Sequence, residues 1–249
     1  MLLSISSGIQ KTVKAIESVD KDAVFVAVEA MHFARALSPL ARSAAKDVFY
    51  QDLLCYDLVR GAVNSSHRLF SWLTANGADP ALLSILEKGA VQQHILGVNF
   101  YPWSGNSLDV DSNGKVVEVS NRASGRDLLY VLRLVHKYSQ APLMVTETSS
   151  PGSIPERIAW MRETIAAVAQ ARSENICVLG YTWFPLFSMI GWEYRTSQLP
   201  VDKHLLHLGI WDCEFDQSGV PVRKETPLRQ LYSRFIRRGS PRCTRSRAG

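Results

Sequence analysis

The chain has 249 residues, of which 46% are hydrophobic, 20% charged and 9% aromatic. Those proportions exclude disordered, collagen-like and disulfide-scaffold architectures, and the length suits a single α/β barrel of about 250 residues. No run of 18 or more apolar residues occurs and the opening eight residues lack the pattern of a secretory signal, so neither a membrane span nor secretion is expected. The formal charge of +5 belongs to one end: residues 233–249 carry six arginines and no acid, leaving 22 basic and 23 acidic side chains elsewhere. That arginine-rich tail, from 236 to 249, reads as a solvated and disordered end, and the body carries no nucleic-acid footprint. The four cysteines, Cys55, Cys177, Cys213 and Cys243, are widely spaced with no CxxC and no nearby histidine pair. A reduced, cytoplasmic setting follows as the expectation, and no metal site is indicated.

In chain order, residues 8–19 place Ile9, Val13 and Ile16 on one helical face, and residues 23–30 form a near-continuous apolar run. The run predicts a strand buried on both faces, as in a parallel sheet. A long helical and irregular stretch follows, ending in a helix that Asp79 caps, Pro80 opens and Gly89 closes. Residues 94–103 form the second predicted strand, and a polar loop with a small hairpin at Asn113-Gly114 comes next. Leu128, Leu129, Leu132 and Val135 mark an amphipathic helix over 126–139, followed by a third strand over 141–150. A helix opened by Ser153 with Pro155 in its first turn leads to a fourth strand over 176–187. A loop to about residue 203, the segment LGIWDCEFD over 208–216 and a short helix over 226–238 follow. Four strand–helix units predict a parallel α/β architecture, yet four units are too few to close an eight-stranded barrel.

In parallel α/β folds the functional side chains sit at the carboxyl ends of the strands. Three predicted strands end in polar or aromatic residues: Asn99 to Trp103, Thr146-Glu147-Thr148, and Tyr181 to Phe184. A carboxylate among aromatic faces and a tyrosine hydroxyl suits chemistry on a sugar. The rings stack on the apolar face of a pyranose, and the carboxylate attacks an oxocarbenium-like centre.

The segments GVNFYPW, PLMVTETSSPGS and GYTWFPLFSMIGWEYR, followed by LGIWD, resemble the carboxyl-terminal half of a family-1-type glycoside hydrolase, a retaining β-glycosidase with a TIM barrel. The resemblance covers roughly residues 8–235, taken as one domain over 1–235, and implies a partial (β/α)8 barrel with strands 5–8 and their helices. Thr146-Glu147 matches the first half of the family's strand-7 motif, so Glu147 is implied as the nucleophile. Tyr101 is implied as its hydrogen-bonding partner and Trp183 as the platform under the sugar. Asn99, Trp103 and Trp192 are implied as further substrate contacts. The activity implied is hydrolysis of a β-glycoside through a glycosyl–Glu147 intermediate, with no metal or organic cofactor and a carbohydrate substrate.

The departures matter as much. The family's Asn-Gly after the nucleophile is Thr148-Ser149 here, and the acid before its second tryptophan is replaced by Gly191, with Glu193 following Trp192. Preference for one sugar is therefore not inherited. Glu29 would fall on strand 5, where a structural ion pair is expected. The family's acid/base glutamate belongs to an Asn-Glu-Pro-like motif on strand 4, and no Asn-Glu dipeptide occurs in this chain. On this alignment strands 1–4 are absent. The chain then reads as a truncated product; a half-barrel that pairs with a separate half or with its own copy, and a non-catalytic carbohydrate-binding relative, are the alternatives.

Overall fold

A sheet of four parallel strands in the order β1-β3-β6-β7 organises the molecule. The computed structural model describes residues 1–237. Helix α1 (Leu2–Val19) leads into β1 (Val26–Ala30) and β2 (Phe33–Ala36). Helices α2 (Arg42–Asp52), α3 (Leu54–Val59), α4 (Phe70–Ala75) and α5 (Pro80–Lys88) precede β3 (Ile95–Asn99). Strands β4 (Gly105–Val110) and β5 (Val116–Ser120) then form the hairpin, and α6 (Asp127–Ser139) returns the chain to β6 (Leu143–Thr148). Helix α7 (Ile154–Ser173) and β7 (Val178–Trp183) complete the main sheet. The short pair β8 (Met189–Ile190) and β9 (Leu205–Leu206), the hairpin β10 (Trp211–Phe215) and β11 (Pro221–Glu225), and α8 (Pro227–Arg237) follow.

Helices α5, α6 and α7 form where the sequence predicts. The Asp79 carboxylate accepts from the Ala81 amide at 2.8 Å, and Gly89 follows the last residue of α5. Ser153 and Glu156 exchange bonds in a capping box that opens α7, satisfying amides that would otherwise lack partners. Helix α6 buries Leu128, Val131, Leu132 and Val135 against the sheet, each contributing about 1.5–3 kcal/mol relative to exposure. Helix α1 begins earlier than the predicted residue 8, because Leu2 and Leu3 pack against the cluster of Leu54, Leu58, Leu83 and Leu86. Strand β11 carries no apolar alternation and is wholly exposed, so only its pairing with β10 defines it. The predicted tail boundary at 236 falls inside α8, whose last residue is Arg237; from 238 onward that tail lies outside the described residues.

One face of the sheet is closed and the other is open. Ala27, Leu96, Val98, Leu143, Val145 and Val178 lie in the core beneath the helices. On β1 the alternate residues Val26 and Val28 are 41% and 50% exposed. This corrects the expectation of a strand buried on both faces: no described segment packs on that side. Strand β1 pairs only with β3 and β7 only with β6 among the described residues, so the sheet has two free edges and does not close into a barrel. The described residues contain no helix long and apolar enough to cross a membrane.

Candidate active site

The central strands β3 and β6 bring the predicted residues together. Their register places Asn99 opposite Glu147 after a shift between Val98 and Asn99, and the Phe100 amide donates to the Glu147 carbonyl at 2.9 Å. The Phe100 side chain turns into the core and stacks on Trp160, whose indole N–H donates to Thr148 Oγ1 at 2.9 Å. With Phe100 and Thr148 anchored below, Tyr101 and Glu147 project from the strand ends. The Tyr101 hydroxyl donates to Glu147 Oε2 at 2.8 Å.

Tyr101 is held from its own side as well. Its amide donates to Ser104 Oγ at 3.0 Å and its carbonyl accepts from the Ser104 amide, which fixes the Tyr-Pro-Trp-Ser turn. Trp103 stacks on the Tyr101 ring at 4.6 Å, nearly parallel at 7°, and is half exposed. Burial, and then the Glu147 carboxylate, hold the Tyr101 phenol well above its ordinary range, so it remains a donor across the physiological pH range. Asn99 Oδ1 accepts from Thr146 Oγ1 at 2.7 Å, which orients the amide at the strand end. Sequence reasoning passed over Ser104, and it named Thr146 only as part of the strand-end motif; the spacing of Ser104 three residues after Tyr101, across Pro102, is the signal that could have found the first.

The tryptophans take different positions. Trp183 is buried, with its indole N–H donating to the Leu208 carbonyl at 2.8 Å. Trp192 is 68% exposed and carries the Arg195 guanidinium over its ring at 4.2 Å. Glu193 turns to His204 Nδ1 at 3.5 Å. Glu29, next to last in β1, has Asp52, Asp57 and Cys55 as its electrostatic neighbours, and no cation pairs with it among the described residues. The expected ion pair is thus absent, and burial, opposed by the Tyr56 backbone amide, raises its carboxyl to about 7.

Two other clusters were unforeseen. Arg157 makes a bidentate pair with Asp212 at 2.7 and 2.8 Å and donates to the Gly209 carbonyl. Ser188, His207 and Asp212 also gather there, yet Ser188 and Asp212 both approach Nδ1 of His207, so they form no proton relay.

No family model matches the chain, and no curated protein matches it. Solved structures do match. The family 1 β-glucosidase from Thermotoga maritima superposes with a TM-score of 0.76 at 14% identity, over 95% of this chain and 55% of that one. The T. maritima β-glucosidase in complex with glucoimidazole gives 0.75 at 15% identity over 94% and 56%, and its complex with azafagomine 0.75 at 15% over 95% and 55%. The fold is therefore that of part of a β-glucosidase, and the chain spans a little over half the length of these proteins.

Proposed function

We propose that Tyr101 and Glu147 are the nucleophilic half of a retaining β-glycosidase site. The observation that carries this reading is the 2.8 Å hydrogen bond from Tyr101 to Glu147 Oε2 at the ends of two adjacent parallel strands. It occurs in a fold shared with β-glucosidases. Tyr101 engages Oε2 and leaves Oε1 to attack. Oε1 forms a bond to the anomeric carbon as the bond to the leaving oxygen breaks, and that oxygen departs with the electron pair and gains a proton from a general acid. Water then cleaves the glycosyl–Glu147 ester and restores the carboxylate, with net retention and no cofactor. Trp103 offers a face to the sugar beside Tyr101 and Asn99 offers an oriented amide; Trp183, paired with Thr148 at the end of β7, underlies the site, and the exposed Trp192 is a further sugar contact in this reading.

A retaining site needs a second carboxyl group about 5–5.5 Å from the nucleophile. Among the described residues the Glu147 side chain bonds to Tyr101 and joins no ion pair. In this reading β1, β3, β6 and β7 are strands 5–8, and the acid arrives with the strands that complete the barrel along the β1 and β7 edges. Those strands belong to the remainder of a longer product of which this chain is a truncated part, or else to a separate half or a second copy. The chain alone is then half an enzyme. The unaccompanied carboxylate favours one other reading, a non-catalytic carbohydrate-binding half-barrel.

An activated 2-fluoro glycoside separates the two, because its leaving group needs no acid. The expected result is an added glycosyl mass on the peptide containing Glu147, absent from Glu147→Gln. Equal labelling of both proteins, or none in a folded wild type across gluco- and galacto-configured reagents, would overturn the nucleophile assignment.

A further inference from the structure

The outer layer holds a second recess, built from residues that take no part in the strand-end site. Its walls are the facing stripes of two helices. Arg42, Lys46 and Tyr50 recur every four residues along α2, and Tyr130, Leu134 and Tyr138 do the same along α6. Strand β2 forms the floor. Ala34 and Ala36 on β2 and Ala45 on α2 present only methyl groups where larger side chains would fill the space. What remains is a cleft of about 590 Å3, within the roughly 300–1,000 Å3 typical of small-molecule sites.

The lining is cationic and aromatic together. Arg42, Lys46 and Lys137 border the cleft, and none forms an ion pair with a described residue. His32 joins them, its imidazole bonded to Asp52 at 2.7 Å and held above its ordinary pKa by that carboxylate. The acids nearby are committed or outnumbered. Asp52 is occupied by His32, Asp47 by Arg68, and Glu118 acts on His32 from β5. Tyr130 is half exposed and braced edge-on by Phe33, while Phe49, Tyr50 and Tyr138 interlock edge-to-face behind it. The Tyr138 hydroxyl is spent on the buried Asp57 at 2.7 Å, so that ring is fixed and offers the cleft surface rather than a proton.

Unpaired cations around a rigid aromatic wall select a ligand that is negative at one end and flat and apolar at the other. We propose that this cleft binds a small organic anion carrying an aromatic ring, an aryl phosphate or aryl carboxylate. The anion sits among Arg42, Lys46 and Lys137, and the ring lies against Tyr130 over the alanine floor. The site stands apart from the glycosidase reading and survives its failure.

Phenyl phosphate is the probe, titrated into the full chain by calorimetry and by amide chemical shifts. Saturable one-to-one binding is expected, with shifts confined to α2, β2 and α6, and an affinity that falls as salt rises from 50 to 300 mM. Two variants test separate halves of the proposal. The pair Lys46→Glu with Lys137→Glu changes exposed residues and should weaken binding at least tenfold. Ala45→Trp fills the floor without altering charge and should weaken it comparably. Phenol should bind at least tenfold more weakly than phenyl phosphate. Equal binding of inorganic phosphate, unchanged affinity in either variant, or no saturable binding at millimolar probe would each overturn it. Sodium benzoate, run in parallel, distinguishes phosphate from carboxylate as the preferred head group.

Discussion

Arg157 and Asp212 face each other through two parallel N–H···O bonds of 2.7 and 2.8 Å, with Arg157 only 2% exposed. The guanidinium projects from the first turns of α7 and the carboxylate from β10, so one ion pair locks the segment after the sheet onto the helix that precedes β7. Removing one partner leaves a buried charge uncompensated. Asp212→Ala is therefore expected to cost about 3–5 kcal/mol of stability, read as a drop in the urea midpoint. A loss under about 1 kcal/mol would show that solvent reaches the pair.

Tyr101→Phe tests the central contact. The ring and its stacking on Trp103 remain, and only the hydroxyl bonded to Glu147 is lost. A hydrogen bond to a charged group is worth about 1.5–3 kcal/mol, so labelling by the activated 2-fluoro glycoside should slow about tenfold or more. The thermal midpoint should move little, which separates positioning from folding.

The Glu29 carboxyl, raised to about 7 by burial, gives a stability term with a definite sign. Below about pH 4.5 it is protonated in both the folded and unfolded chain and adds nothing. Between there and pH 7 the unfolded chain ionises first, so stability falls as pH rises, and above pH 7 the cost of a buried charge is fully present. Glu29→Gln is expected to stabilise the protein by on the order of 2 kcal/mol at pH 8 and by nothing measurable at pH 4. Chemical denaturation at the two pH values checks it.

Val26 and Val28, 41% and 50% exposed beside a free strand edge, form a surface that invites association. Sedimentation should show mass rising with concentration in the wild type. Val28→Lys should return the protein toward a monomer with its helical circular dichroism unchanged. An ideal wild-type monomer at 100 μM would contradict this.

Much of this arrangement was legible from residue patterns, and the exceptions have physical causes. The Asp79-Pro80 and Ser153-Pro155 signals located α5 and α7 because capping is decided by neighbours in sequence. Glu147, Tyr101 and Asn99 were recognisable as a group because strand ends in a parallel sheet share one rim. Exposure on one face of β1 was not legible, since an apolar run looks the same whether or not something covers it. Nor was the surrounding of Glu29, where Asp52 and Asp57 approach from helices more than twenty residues away. The Arg157–Asp212 pair spans 55 residues and leaves no local trace.

The residues that define the strand-end site lie on β3 and β6, the two interior strands, joined by a single crossover through α6. Each of these strands is flanked on both sides, whereas β1 and β7 each have one bare edge among the described residues. Amide exchange should consequently be slowest at Val98 and Val145 and faster in β1 and β7. The geometry around Glu147 would then persist while the sheet margins open and close. One crossover, from Ile95 to Thr148, thus carries both partners of the Tyr101–Glu147 bond, and Trp160 of α7 clamps its two ends together from beneath.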